Sequence, residues 1–169
     1  ALLASAQKEK ILAQVCTVIG QFCNDRDFRE KFIVDFAHTT KCVLYIYDHC
    51  CAGSSMACKA MFVLKQLMAN HNDMKADVGG QIIGKLLAEL GSPDKEVDKS
   101  SDFLAQAIML LQMLASAPIN CQRLGDASAT DVLERISKHP NARRVDGFKR
   151  RVEQLQESIE QHTRRDVMR

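Results

Sequence analysis

The chain has 169 residues, 46% apolar and 26% charged, with three Pro, eight Gly and a formal net charge of +2. That length suffices for one sizeable core, or for about three to four stacked helical repeats of ~40–47 residues, and the near-balanced charge does not by itself imply a polyanion partner. No apolar run approaches the ~20 residues needed to cross a bilayer, and Lys8 and Lys10 interrupt the start where a signal peptide would be apolar.

The chain opens on Ala1 rather than Met, as a segment of a longer protein does. Its seven cysteines, Cys16, Cys23, Cys42, Cys50, Cys51, Cys58 and Cys121, are odd in number and lie mostly in apolar helical patterns. That usage points to reduced thiols, and so to a cytoplasmic or nuclear protein.

Helical periodicity runs from end to end, and strand-like alternation is nearly absent. Between Ser5 and Cys23 the pattern places Ile11, Leu12, Val15, Ile19 and Phe22 on one helix face, flanked by Val18 and Cys23. A short helix carrying Phe28, Phe32, Ile33 and Phe36 comes next. A third, capped by Thr39 or Thr40, carries Val43, Leu44, Ile46 and Tyr47. The stop at Gly53-Ser54-Ser55 supplies a serine to cap the next helix, with Met56, Ala60, Val63, Leu64 and Leu67 on its apolar face. Asn72 starts a short helical turn that Gly79-Gly80 should interrupt, and Ile82, Ile83, Leu86, Leu87 and Leu90 belong to the helix after it. Gly91-Ser92-Pro93-Asp94 is a strong stop, followed by a polar connector to Ser101. Phe103, Leu104, Ala107, Leu110, Leu111 and Leu114 then form a long apolar helix. Pro118 begins a short one through Ile119 and Leu124, Gly125 breaks it, and Val132, Leu133 and Ile136 form another before His139-Pro140. A last helix is expected from about Asn141 to Thr163.

Two stretches of this pattern align. AMFVLKQLMANHNDMKADVGGQIIGKLL begins at Ala60 and AIMLLQMLASAPINCQRLGDASATDVL at Ala107, and each alanine is followed four and seven residues later by leucine. The offset is 47 residues, sliding to 48 between Asn72 and Asn120, and a fainter copy begins at Val15 with Ile19 and Phe22 in the leucine places. A period of this size signals stacked units that bury their apolar faces against one another.

The pattern resembles the armadillo-like (ARM/HEAT-type) helical repeat family, in which a short first helix, a second and a long third make each unit. The resemblance implies an all-α, armadillo-like α-solenoid of about three repeats with a long C-terminal helix, in one domain over 1–169. A leading third helix would occupy 5–24, repeats about 25–71, 72–117 and 118–163, and a polar tail 164–169. HEAT-type repeats or a helical bundle satisfy the same periodicity. In the armadillo family the third helices line a concave groove that binds peptides. The family pattern Ala-x-Trp-Ala-Leu-x-Asn-Leu puts Thr17, Phe62 and Met109 at its tryptophan place, and Gln21, Gln66 and Met113 at its asparagine place. The chain has no Trp and no Asn at these places, so the resemblance does not extend to the subset that clamps basic peptides. A groove of Thr17, Gln21, Phe62, Gln66, Met109 and Met113, with Lys65 and Asn70 as polar rim, suits a partner protein's amphipathic helix or extended peptide.

Other chemistries are weaker. His49-Cys50-Cys51 are consecutive on an expected helix end and splay ~100° apart, so with Cys58 they cannot converge on zinc. No G-x-S-x-G occurs, and Gly79-Gly80 lacks the Lys-Ser/Thr of a phosphate loop. Neither a metal, a cofactor nor enzymatic activity is therefore expected.

The C-terminal helix carries the alternatives. Val145, Phe148, Val152, Leu155, Ile159 and His162 are spaced as a coiled-coil seam, which suggests dimerisation or partner docking through 141–163; the competing reading packs that edge on 128–138 as the solenoid's last helix. Residues 141–169 hold eight basic and five acidic residues, against 15 and 16 in the rest of the chain. Arg143, Arg144, Lys149, Arg150 and Arg151 could thus meet nucleic-acid phosphates. With two Tyr and no Trp to stack bases, and with acids interleaved on the helix, nucleic acid ranks third behind a protein partner and self-association.

Overall fold

The computed structural model describes residues 2–25, 27 and 35–167, with side chains at 10–25, 27, 35 and 37–162; among these the regular structure is all helical, with no strand. The elements are α1 (Leu2–Asn24), α2 (Phe36–His49), α3 (Ser55–Met68), α4 (Asn72–Gly91), α5 (Ser101–Ala115), α6 (Pro118–Asp126), α7 (Ala129–Ser137), a 3-10 turn (Pro140–Arg144) and α8 (Phe148–Val167). The short helix expected around Phe28, Phe32 and Ile33 lies outside the described residues, as does the side chain of Phe36.

Local chemistry accounts for most helix starts. Ser54 and Ser100 accept from Ala57 N and Phe103 N, both at 3.2 Å, relieving the free N–H groups that open α3 and α5. Asp35, rather than Thr39 or Thr40, caps α2: its Oδ1 accepts from His38 N at 2.8 Å, and both threonines lie inside the helix.

Three expectations need correction. First, Gly79-Gly80 does not interrupt a helix; α4 runs unbroken through it. A Cβ on Gly79 would stand 2.2 Å from Asn120 Oδ1, and one on Gly80 3.2 Å from the Arg123 guanidinium carbon. The bare backbone lets α6 approach closely: Asn120 Nδ2 donates to Lys75 O at 2.7 Å and Leu114 O at 3.0 Å, while Arg123 donates to Ala76 O and to Asn120 Oδ1. These glycines serve packing, not chain breaking.

Second, the last long helix begins at Phe148, not near Asn141. Pro140–Arg144 is a separate 3-10 turn, and Gly147 at φ +65° takes the left-handed conformation that divides it from α8.

Third, the fainter repeat in α1 is out of register by one residue. Ala60, Leu64 and Leu67, like Ala107, Leu111 and Leu114, are fully buried, which matches the alignment. In α1 the buried set at the same spacing is Cys16, Gly20 and Cys23, whereas Ile11, Val15, Val18 and Phe22 are exposed and Leu12 and Ile19 half-buried. Small residues win because α1 lies close on α3: a Cβ at Gly20 would be 3.3 Å from the Phe62 ring.

The helices pack in two layers. In one, α1 lies on α3, α3 on α5 and α5 on α8. In the other, α2 packs on α3 and α4, α4 on α5, α6 and α7, and α6 and α7 on α8. The core between them holds Tyr47, Met61, Leu64, Leu86, Phe103, Leu104, Ile108 and Phe148, each almost wholly buried. Polar bridges tie the layers together. Lys75 Nζ reaches Asn72 Oδ1 at 2.8 Å and Ser116 Oγ at 3.1 Å, joining α4 to the end of α5. Buried Tyr47 donates to Glu89 Oε2 at 2.5 Å, with Lys85 Nζ 4.8 Å from the Tyr47 ring centre. Burial raises the Glu89 carboxyl above its usual range, against the opposing pull of the Tyr47 hydrogen bond and Lys85.

A candidate groove across the long helices

The row α1–α3–α5 leaves an open depression of about 460 Å³. Thr17, Gly20 and Gln21 come from α1, Ser55, Cys58, Lys59 and Phe62 from α3, and Asp102 and Gln106 from α5. Three of the residues expected in a groove, Thr17, Gln21 and Phe62, thus line one concavity. Phe62 is half-buried and lines the depression, with its ring edge 3.3 Å from where a Cβ on Gly20 would stand. Gln106 Oε1 is buried in the wall with no hydrogen-bond partner. An acceptor left in that state carries a desolvation penalty of ~1–3 kcal/mol until something donates to it.

The other residues expected in the groove, Lys65, Gln66, Asn70, Met109 and Met113, are not part of the lining of this depression. Lys65 Nζ lies 3.9 Å from Met109 Sδ and 5.8 Å from the centre of the Phe62 ring. One turn further along α5, Gln112 Nε2 donates to Arg151 O of α8 at 3.1 Å. Met109 and Met113 are half-buried, Met113 against the core, and Gln66 is half-buried on α3. Asn70 is exposed in the turn after α3, at the margin of this surface. Lys65 is not rim: only 8% of it is exposed. Burial, with the charge of Arg151 adding to it, pushes its ammonium down to about 8. No carboxylate pairs with it among the described residues.

The C-terminal seam lies elsewhere. Phe148, Val152, Leu155 and Ile159 are buried against the chain's own helices, and Val145 is half-buried ahead of α8. The seam expected as a docking face is therefore already occupied within the fold. Heptad-like spacing is also the spacing of a helix wedged against neighbours. The basic cluster is exposed at all five positions, Arg143 and Arg144 on the 3-10 turn and Lys149, Arg150 and Arg151 at the start of α8, with Lys149 3.7 Å from Glu153.

The thiols are free at all seven positions. Burial pushes Cys50 and Cys58 up to about 11, so both stay protonated at neutral pH and are poor nucleophiles. Among the described residues, no three His, Cys, Asp or Glu side chains gather as metal ligands, and no helix is long and apolar enough to cross a membrane.

Sequence reasoning missed Gln106, Cys58 and Asp102 as groove residues. They lie one to five residues before the repeat alanines Ala60 and Ala107, and that offset could have found them. Comparison with protein-family models, with curated proteins and with solved structures gives no match.

Proposed function

We propose that this chain is an armadillo-like α-solenoid segment acting as an intracellular protein–protein interaction scaffold, which holds a partner helix or extended peptide in the groove across α1, α3 and α5. Support for the solenoid comes from the side-by-side order of the long helices and the equivalent burial of Ala60, Leu64 and Leu67 with Ala107, Leu111 and Leu114. The observation that carries the binding role is the open depression itself, built by three successive long helices with the half-buried Phe62 in its lining. Phe62 supplies a surface for an apolar side chain, and the exposed Thr17 and Gln21 supply polar groups for a peptide backbone. A binding role also suits the thiol chemistry, since the groove's cysteine, Cys58, is held in its unreactive form.

The test is selection from a random peptide library on the folded chain, followed by affinity measurement on variants. Phe62→Asp with Met109→Asp should abolish binding by a variant that still unfolds cooperatively. Undiminished binding would place the peptide site elsewhere.

A further inference from the structure

A second cavity lies in the other layer of helices, and what it binds is independent of the groove reading. It holds about 280 Å³ and is lined by α2, α4 and Arg123 of α6. Thr40, Leu44 and Val78 in its lining are buried, whereas Lys41, Asp77 and Gly80 are exposed, so a closed base sits under an open mouth.

Two cations from different helices reach this cavity. Arg123 lies across Gly80, where a Cβ would stand 3.2 Å from its Nη2. Its Nη1 is fixed on Ala76 O and on Oδ1 of the fully buried Asn120, which leaves Nη2 and Nε as donors without acceptors. Lys41 comes from α2, and among the described residues no carboxylate pairs with either cation, Asp77 included. At the base, Thr40 is 4% exposed and its Oγ1 has no hydrogen-bond partner. Buried hydroxyls are nearly always satisfied, so an unpaired polar group underlies two unpaired charges. Apolar walls with a few convergent polar groups are the usual make-up of a small-molecule pocket. Here Leu44, Met74 and Val78 supply the walls, and two cations outweigh the single carboxylate.

We propose that this cavity binds a small organic carboxylate, its anionic head on Arg123 and Lys41 and its apolar body against Leu44, Met74 and Val78. A guanidinium meets a carboxylate through parallel charge-assisted hydrogen bonds, and one already held by its own chain loses little freedom in making them. Size bounds the ligand: the cavity equals the share of about nine waters at ~30 Å³ each, room for roughly ten non-hydrogen atoms. Gly80 then does more than let α6 pack closely, because its bare backbone is what allows the guanidinium to reach the cavity.

The probe is 3-phenylpropionate, titrated into the folded chain and followed by methyl NMR. 3-Phenylpropanol and 3-phenylpropylamine keep the same body and replace the carboxylate with a neutral or a cationic head. Ring-current shifts are expected at the methyls of Leu44, Met74 and Val78, with affinity at least fivefold weaker for the alcohol and no saturable binding of the amine. Lys41→Gln breaks no bond within the chain; it should weaken the acid at least threefold and leave the alcohol unchanged, and Lys41→Arg should retain the affinity. Arg123→Gln should cost tenfold or more. Because Arg123 also ties α6 to α4, the comparison of the three probes and the Lys41 variants decide the matter if that variant fails to fold. Acid and alcohol binding equally, or acid binding unchanged by Lys41→Gln, would overturn the carboxylate site. Shifts centred on α1 and α3 would move the probe to the groove and overturn it as well, as would no saturable binding of the acid into the millimolar range.

Discussion

The contact between α4 and α6 gives the sharpest test of how this fold is built. Gly79→Ala adds one methyl group to a helix interior, which on propensity alone stabilises by ~1 kcal/mol. Here the new Cβ would stand 2.2 Å from Asn120 Oδ1 and 2.3 Å from its Cγ and Nδ2. Asn120 is fully buried and held by hydrogen bonds to Lys75 O, Leu114 O and the Arg123 guanidinium, so it cannot swing aside. Either α4 lifts from α6, an overpacking cost of ~1–3 kcal/mol, or Asn120 leaves and forfeits bonds worth ~1 kcal/mol each, the one from Arg123 more. After subtracting the propensity gain, the cheaper route, lifting of α4, leaves a net loss of ~0–2 kcal/mol, so the variant should lie ~1–3 kcal/mol below the Gly84→Ala control. Gly84→Ala is the control on the same helix: nothing lies within 4 Å of its Cβ, so it should gain ~0.5–1 kcal/mol. Both are read from urea unfolding followed by far-UV circular dichroism. In an Asn120→Ala background, which removes the atoms the methyl meets first, the cost of Gly79→Ala should largely vanish. A Gly79→Ala variant as stable as Gly84→Ala would refute the packing role of Gly79.

Three further outcomes are expected. Between about 8, where Lys65 titrates in the folded chain, and its ordinary 10.5, the unfolded chain holds a proton that the folded chain has released, so stability should climb with pH relative to Lys65→Met; parallel pH profiles of unfolding would refute this. Glu89 runs the other way: its folded value lies above the ordinary 4.5, so stability should fall as pH rises just above that value, and Glu89→Gln should flatten the slope in urea titrations. Phe148→Ala, which empties a fully buried ring site, should cost ~3–5 kcal/mol in the same assay; a near-neutral effect, with a change in oligomer mass by ultracentrifugation instead, would restore the α8 seam as a docking face.

The sequence was legible wherever a residue's fate depends on its own chain neighbours. The helical class, the serine cap within Gly53-Ser54-Ser55, the stop at Gly91–Asp94 and the buried Ala-Leu-Leu spacing of α3 and α5 all follow from periodicity and local hydrogen bonding. Of the residues that the armadillo pattern placed in a groove, Thr17, Gln21 and Phe62 line the depression across α1, α3 and α5. What escaped was decided across the space between helices. Gly79-Gly80 reads as a break because a glycine pair is costly in an isolated helix; the compensating hydrogen bonds come from Asn120 and Arg123, more than forty residues on. Ile11, Val15, Val18 and Phe22 read as a core face by hydropathy, yet close approach to Phe62 selects the small residues Cys16, Gly20 and Cys23. Lys65 reads as rim because lysine is usually solvated; its burial, with Met109 Sδ of another helix 3.9 Å from its Nζ, is decided by tertiary packing. Periodicity carries the sign of each helix face, but the distance between two backbones, and the charge that comes with the second one, belongs to the tertiary structure alone.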